Sequence, residues 1–242
     1  MMGDLGFGWD QGAAWRGGVV DAIDPGMQGR IAEWRKSGLN IMMSEKSEAK
    51  PVSFLEDCAV ELKDLAEYTD KLTAIFDRNG VKGTWYAHAS VGCLHVRPVL
   101  NMKQVGGAET MRAIAEEAFE LVRSFGGSHS GEHGDGIVRS EFNDRMFGPV
   151  LPDLFRQVKA MFDPQGMFNP GKITDAPKMD DRELFRFAPG YETEDFDSVL
   201  DWAAWPGAAG GFQGAVEMCN NNGACRKLSS GVMCPSYRAT RN

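Results

Sequence analysis

Two stretches that are apolar on one side only bracket a short β-leaning run, and this limits the fold more than any other feature of the chain. Leu62, Leu65, Tyr68, Leu72 and Phe76 recur at three- and four-residue steps between Leu62 and Arg78, the spacing that gathers side chains on one helical face. Asn79-Gly80 ends that helix. Met111, Ile114, Ala118, Phe119 and Val122 form a second such face between Ala108 and Ser124, and Gly126-Gly127 stops it. The intervening residues, from about Gly83 to Val99, carry TWYA and CLHV around Gly92, a composition that suits a hairpin. One-sided helices need an apolar partner, and a hairpin offers one. The expected fold class is α+β, an antiparallel sheet flanked by helices.

The remaining elements are weaker. Gln28 to Lys36 reads as the end of a short helix closed by Ser37-Gly38, followed by a strand at Leu39–Met43. A second strand is expected over Val52–Val60, and a helix over Pro152–Phe162 that breaks at Asp163-Pro164. Residues 1–27 are Gly-rich and read as loop. The expected division is a domain over 1–173, a linker or surface excursion over 174–217, rich in charge, Gly and Pro, and a loop-rich tail over 218–242. A net charge of -8 with no Lys/Arg cluster argues against a nucleic-acid partner. No apolar run approaches the roughly 20 residues needed to span a bilayer, and the first residues lack the pattern of a secretion signal. Five cysteines, two scattered and three in the tail, do not make a disulfide framework. They point to a reducing, cytoplasmic compartment and to a metal cluster as one use of the tail.

Two of the four histidines stand in YAHASVGCLH. With Val91-Gly92 at the turn of a hairpin, Ser90 faces Cys93, Ala89 faces Leu94 and His88 faces His95, close enough for two imidazoles to share an ion. Val91 is the weak point, because a β-branched residue resists the positive φ of a tight turn. Two hydrogen-bonded polar side chains on a sheet are the other reading of the same spacing. The remaining histidines lie in GGSHSGEHGDGIVRS, residues 126–140, where five glycines fall within eleven residues. His129, Glu132, His133 and Asp135 sit there, either as a polar turn or as ligand and acid/base chemistry on a backbone that can approach something closely. Taken with the first pair, His88, His95 and Glu132 make two nitrogens and one oxygen, a set that suits zinc or a similar divalent ion with one position open. His133, adjacent to Glu132, is then placed to act as a base.

HASVGCLH, followed about forty residues later by SGEHGDG and then by MFDPQGMFNPGK, resembles the C-terminal domain of the FAD-linked oxidases of the vanillyl-alcohol-oxidase type. That family includes D-lactate dehydrogenase, the glycolate oxidase large subunit and D-2-hydroxyglutarate dehydrogenase. EDCAV, residues 56–60, also fits, and the resemblance runs from about Trp34 to Ile173. The tail resembles the iron–sulfur region of the bacterial members fused to one. The resemblance implies that His88, His95 and Glu132 hold a divalent metal, zinc or manganese, and that His133 is the base. It implies that Arg35 anchors the substrate carboxylate, with Lys50 in a similar part, and that Asn169 in FNPGK lies near the flavin.

The chain departs from the family pattern in places. Ser90-Val91-Gly92-Cys93 replaces a commoner Gly-Asp-Gly-Asn, and Arg97 stands where many members have Asn. An arginine there can grip a second carboxylate in bidentate fashion, which favours 2-hydroxyglutarate over lactate; a solvated strand charge is the other reading. Cys219, Cys225 and Cys234-Pro235 match the ferredoxin run only in part, since Asn222 stands where its second cysteine would be. They imply a 4Fe-4S cluster in a longer parent protein.

The resemblance implies a mechanism in which a 2-hydroxy acid loses its hydroxyl proton to His133 and hydride to the flavin. Electrons then pass through the iron–sulfur region to a downstream acceptor, with a peripheral membrane or quinone contact. FAD is expected to be held mostly by a flavin domain outside this sequence, so the chain reads as an internal piece of a larger flavoprotein, inactive by itself. Two other classes stand beside this reading: a metal-dependent hydrolase that uses the same residues without flavin, and a non-catalytic electron-transfer or scaffold subunit.

Overall fold

A computed structural model describes residues 22–43, 45–194, 198–205, 210–219, 223–228 and 235–241. The chain divides into two units, Met1–Met42 and Met43–Asn242. In the first, α1 (Pro25–Met43) is one continuous helix, so the expected stop at Ser37-Gly38 and the strand at Leu39–Met43 are corrected. Gly38 is absent from the glycines with positive φ, so it does not form the left-handed cap that would end a helix, and a glycine inside a helix costs only about 1 kcal/mol.

The second unit is built on an antiparallel sheet. β1 (Lys50–Pro51) and β2 (Cys58–Ala59) both pair with β4 (Cys93–Leu100), and β3 (Gly83–His88) pairs with it along its length. The strand expected over Val52–Val60 is corrected to Cys58–Ala59 alone, with β1 lying just before that span. The chain leaves the sheet between them and returns through Asp57, which has φ +89°, a conformation that ends regular pairing. A 3-10 turn at Leu62–Asp64 opens α2 (Leu65–Arg78), and α3 (Gly107–Ser124) follows the hairpin, both close to their expected bounds. The expected α+β class, an antiparallel sheet flanked by helices, is the one observed.

Strand alternation separates β4 into two faces. Leu94, Val96 and Leu100 join Tyr68, Leu72 and Phe76 of α2 and Ile114, Ala118 and Val122 of α3 in the hydrophobic core. Cys93, His95 and Arg97 face the other way. Tyr68, Ile114, Ala118 and Val122 are fully buried, and each large apolar side chain so placed contributes about 1.5–3 kcal/mol by leaving water.

After α3 the glycine-rich loop docks on the sheet edge. Ala59 and Ser128 exchange both backbone hydrogen bonds at 2.9 Å, and the Gly131 N–H donates to the Asp57 carbonyl at 2.7 Å. Gly127 permits this approach, because a Cβ there would lie 2.4 Å from the Ala59 carbonyl oxygen. Three further helices follow, α4 (Gly136–Arg139), α5 (Asn143–Phe147) and α6 (Val150–Phe162). Beyond Lys172 the chain returns to the body of this unit. Met179 is buried in the core, Arg112 pairs with Asp180 at 2.5 Å, and Lys103 pairs with Glu217 next to α7 (Gly211–Val216). Among the described residues, no helix is long and apolar enough to cross a membrane.

Candidate functional site

The hairpin that carries the first two histidines turns one pair earlier than its spacing suggests. His88 is opposite Cys93, Ala87 opposite Leu94 and Tyr86 opposite His95, which corrects the expected pairing of His88 with His95. Ala89–Val91 forms a 3-10 turn, and the positive φ falls on Gly92 at +71°. Val91 thereby avoids the conformation that its branched Cβ resists. Gly92 is also the residue that fits, since a Cβ there would lie 1.9 Å from the Val60 carbonyl oxygen.

The shift is even, so both histidines stay on one face of the sheet. Their rings meet diagonally, 5.0 Å apart and perpendicular. Tyr86, His88, Cys93, His95 and Arg97 share that face, and the ring of His95 stacks with those of Tyr86 and His133 at 5.4 and 4.8 Å.

Glu132 comes to this face from the docked loop. Its Oε1 lies 2.9 Å from His95 Nε2 and 3.4 Å from His88 Nε2. Ligand atoms of Asp57, His95, Glu132 and His133 all fall within 4.8 Å of one another. The loop is aimed from below by Asp57, which has no exposed surface. Its Oδ1 accepts the Glu132 N–H at 2.8 Å and its Oδ2 the His133 N–H at 2.7 Å. Burial pushes the Asp57 carboxyl up, but the two N–H donors and Arg139 outweigh it and hold it below the usual range. With both oxygens engaged, Asp57 serves the loop's shape. The donors that remain in that set, His95, His133 and the Glu132 carboxylate, are of the mixed nitrogen and oxygen kind that a divalent ion of the zinc type accepts, and His88 Nε2 stands beside them, 3.4 Å from Glu132 Oε1. Cys93 sits behind them, its Sγ 3.5 Å from Asp57 Oδ1 and 3.6 Å from Glu132 Oε1. Burial, aided by these carboxylates, pushes its thiol up to about 12.

His95 Nδ1 is buried without a hydrogen-bond partner, and Glu56 Oε1 is 3.9 Å away. Glu56 is held instead by Ser53 and by Arg97, whose Nη2 lies 2.7 Å from Glu56 Oε1. Burial raises the Glu56 carboxyl, yet these two hydrogen bonds bring it below its ordinary value. Arg97 is thus a half-buried, paired cation on the site's face, and not a solvated strand charge.

The other residues named from sequence lie on other elements. Arg35 lies on α1, in the first unit, and is exposed. Lys50, on β1, donates to the Glu45 carbonyl and to Met218 Sδ and lines an apolar cavity of about 410 Å³. Burial, with Lys103 nearby, lowers its pKa against the pull of Glu45. Asn169 is exposed beyond α6 with φ +46° and accepts from Lys172 Nζ at 3.3 Å. Cys219 and Cys225 are exposed, and Cys234 lies outside the described residues. Asp57 and Tyr86 are the residues that sequence reasoning missed. The signal for Asp57 was an acid inside the apolar run SFLEDCAV, where burial requires a full set of hydrogen bonds.

Residues 11–173 match the family described as FAD linked oxidases, C-terminal domain. The chain is 33% identical over 233 residues to D-2-hydroxyglutarate dehydrogenase of Pantoea ananatis, covering 94% of this chain and 22% of that protein. It is 35% identical over 219 residues to D-2-hydroxyglutarate dehydrogenase of Escherichia coli, covering 88% and 20%. It is 30% identical over 132 residues to D-lactate dehydrogenase of Archaeoglobus fulgidus, covering 54% and 29%. The chain spans about a fifth of the length of the first two of these relatives. With its hairpin, docked loop and paired histidines in the matched stretch, the chain belongs to the FAD linked oxidases, through the C-terminal domain of that family.

Proposed function

We propose that this chain is the substrate-binding part of an FAD-dependent D-2-hydroxyacid dehydrogenase of the D-2-hydroxyglutarate or D-lactate type. The observation that carries the reading is the convergence of His88, His95 and Glu132 beside His133 on one face of the sheet, in a chain of the FAD linked oxidase family.

His88 Nε2, His95 Nε2 and the Glu132 carboxylate are assigned as the ligands of a divalent ion, zinc or manganese. Such an ion, when bound, supplies Lewis acidity that lowers the pKa of a substrate hydroxyl. FAD, when bound by the longer protein, supplies the hydride acceptor. His133 takes the hydroxyl proton on its imidazole, and its stacking on His95 holds the ring at the edge of the site. Asp57 keeps Glu132 and His133 in register through their backbone N–H groups. Arg35 and Lys50 are assigned to the substrate's 1-carboxylate. Arg97, steadied by Glu56, is assigned to a second carboxylate, which favours D-2-hydroxyglutarate over D-lactate. Asn169 is assigned to the flavin side of the domain. Cys219, Cys225 and Cys234 offer three thiolates to an iron–sulfur cluster in the longer protein, a reading that rests on their spacing in sequence.

The test joins this chain to the flavin-bearing portion of the Pantoea ananatis relative and follows the oxidised flavin band under anaerobic conditions. D-2-hydroxyglutarate bleaches the band, D-lactate does so more slowly, and His133→Ala slows both by about 100-fold or more, the usual contribution of a positioned base. A fully loaded flavin that neither acid bleaches overturns the reading.

A further inference from the structure

His95 is the most deeply set of the site's three histidines, and one of its ring nitrogens has nothing to hold it. The residue is 4% exposed, and its Nδ1 is buried without a hydrogen-bond partner. Its other nitrogen, Nε2, lies 2.9 Å from Glu132 and is the one assigned above to an ion. A neutral imidazole carries one proton on its two nitrogens. With Nε2 given to an ion, that proton sits on Nδ1, and Nδ1 becomes a buried donor that needs an acceptor.

The group that Nδ1 meets is the Glu56 carboxylate, whose Oε1 is 3.9 Å away. Glu56 comes from the excursion between β1 and β2 and is itself buried. Its Oε2 accepts from the Ser53 hydroxyl, and its Oε1 accepts from Arg97 Nη2 at 2.7 Å. A carboxylate oxygen has two lone pairs, so Oε1 keeps one after Arg97 is served. A movement of about 1 Å brings it within hydrogen-bond reach of Nδ1. Arg97, Glu56 and His95 thus stand in a row, with one oxygen between a cation and a ring.

We infer that Glu56 is a positioning residue of the metal site: it accepts the Nδ1–H of His95 when Nε2 is bound to an ion, while it keeps its hold on Arg97. This rests on the reading that His88, His95 and Glu132 hold a divalent ion. A carboxylate in this place fixes the tautomer and the orientation of the ring and raises the basicity of the ligating nitrogen, and losing such a partner costs roughly 10–100-fold in metal affinity. Arg97 opposes the effect, because it draws on the same oxygen. Ser53 supports it from the far side by tethering Oε2.

The experiment measures zinc affinity of the whole chain by competition with a chromophoric chelator. Only the ion that Glu132→Gln loses is counted, so that zinc on the exposed Cys219 and Cys225 does not enter. Glu56→Ala is expected to weaken that ion by about tenfold or more. It also leaves Arg97 uncovered, and a bare cation repels zinc by itself, so the substitution is repeated in an Arg97→Met background. A loss of at least the same size there is the expected result; a loss that vanishes there means that Glu56 only screens Arg97, and overturns the inference. A second measurement needs no variant to fold. In the zinc-loaded wild type, nitrogen–proton spectra of the imidazoles should show His95 protonated on Nδ1, with that proton exchanging slowly. A His95 Nδ1 that carries no proton, or exchanges it as freely as an exposed ring, overturns the inference. Zinc held equally by wild type and Glu56→Ala overturns the role of Glu56 and leaves the metal site standing. No counted zinc on the wild-type chain overturns both.

Discussion

A carboxylate with no exposed surface must fill its lone pairs from inside the protein, and Asp57 fills them with the N–H groups of Glu132 and His133. Replacing Asp57 with Asn puts an amide donor where an acceptor is needed, and should cost about 2–4 kcal/mol. Urea unfolding at neutral pH checks this. The sign with pH is fixed by the depressed folded pKa. Asp57 contributes in full above the ordinary aspartate value of about 3.9 and loses its contribution as pH falls through the folded value, so the gap between wild type and Asp57→Asn closes in acid. The histidines of the site were legible because a period of two keeps His88 and His95 on one face under any even shift. Asp57 was not, because its partners are backbone amides 75 residues away, and an amide leaves no signature in the side-chain pattern.

At the scale of elements, one-sided periodicity made α2 and α3 legible almost to their ends, while the edge strands were not. β1 and β2 are two residues each, too short to show alternation, and they are separated by an excursion that puts Glu56 under Arg97 and Asp57 under the loop. The hairpin was legible as a hairpin but misread in register, since the turn is settled by which residue tolerates positive φ and not by symmetry of the histidines. Gly92 is that residue. Gly92→Ala should destabilise the unit by about 2–4 kcal/mol, from backbone strain and from overlap with the Val60 carbonyl. A thermal melt would register this as a lowered midpoint, with Gly106→Ala, where a Cβ meets nothing within 4 Å, as the neutral control.

For the molecule as a whole, the helices and sheet form a frame whose far face presents nitrogen and oxygen ligands, and whose α6 turns an apolar stripe outward. The composition said nothing of the apolar side chains that α6 leaves exposed, which show only in the fold. The frame predicts that the site takes a metal ion without the flavin part, because its ligands are already gathered. The measurement to make is elemental analysis of the purified chain after incubation with zinc or manganese and removal of excess ion, beside Glu132→Gln treated identically. One ion per wild-type chain and none in the variant is the expected result. An ion retained equally by both proteins, or by neither, would contradict the assignment of His88, His95 and Glu132 as a metal site.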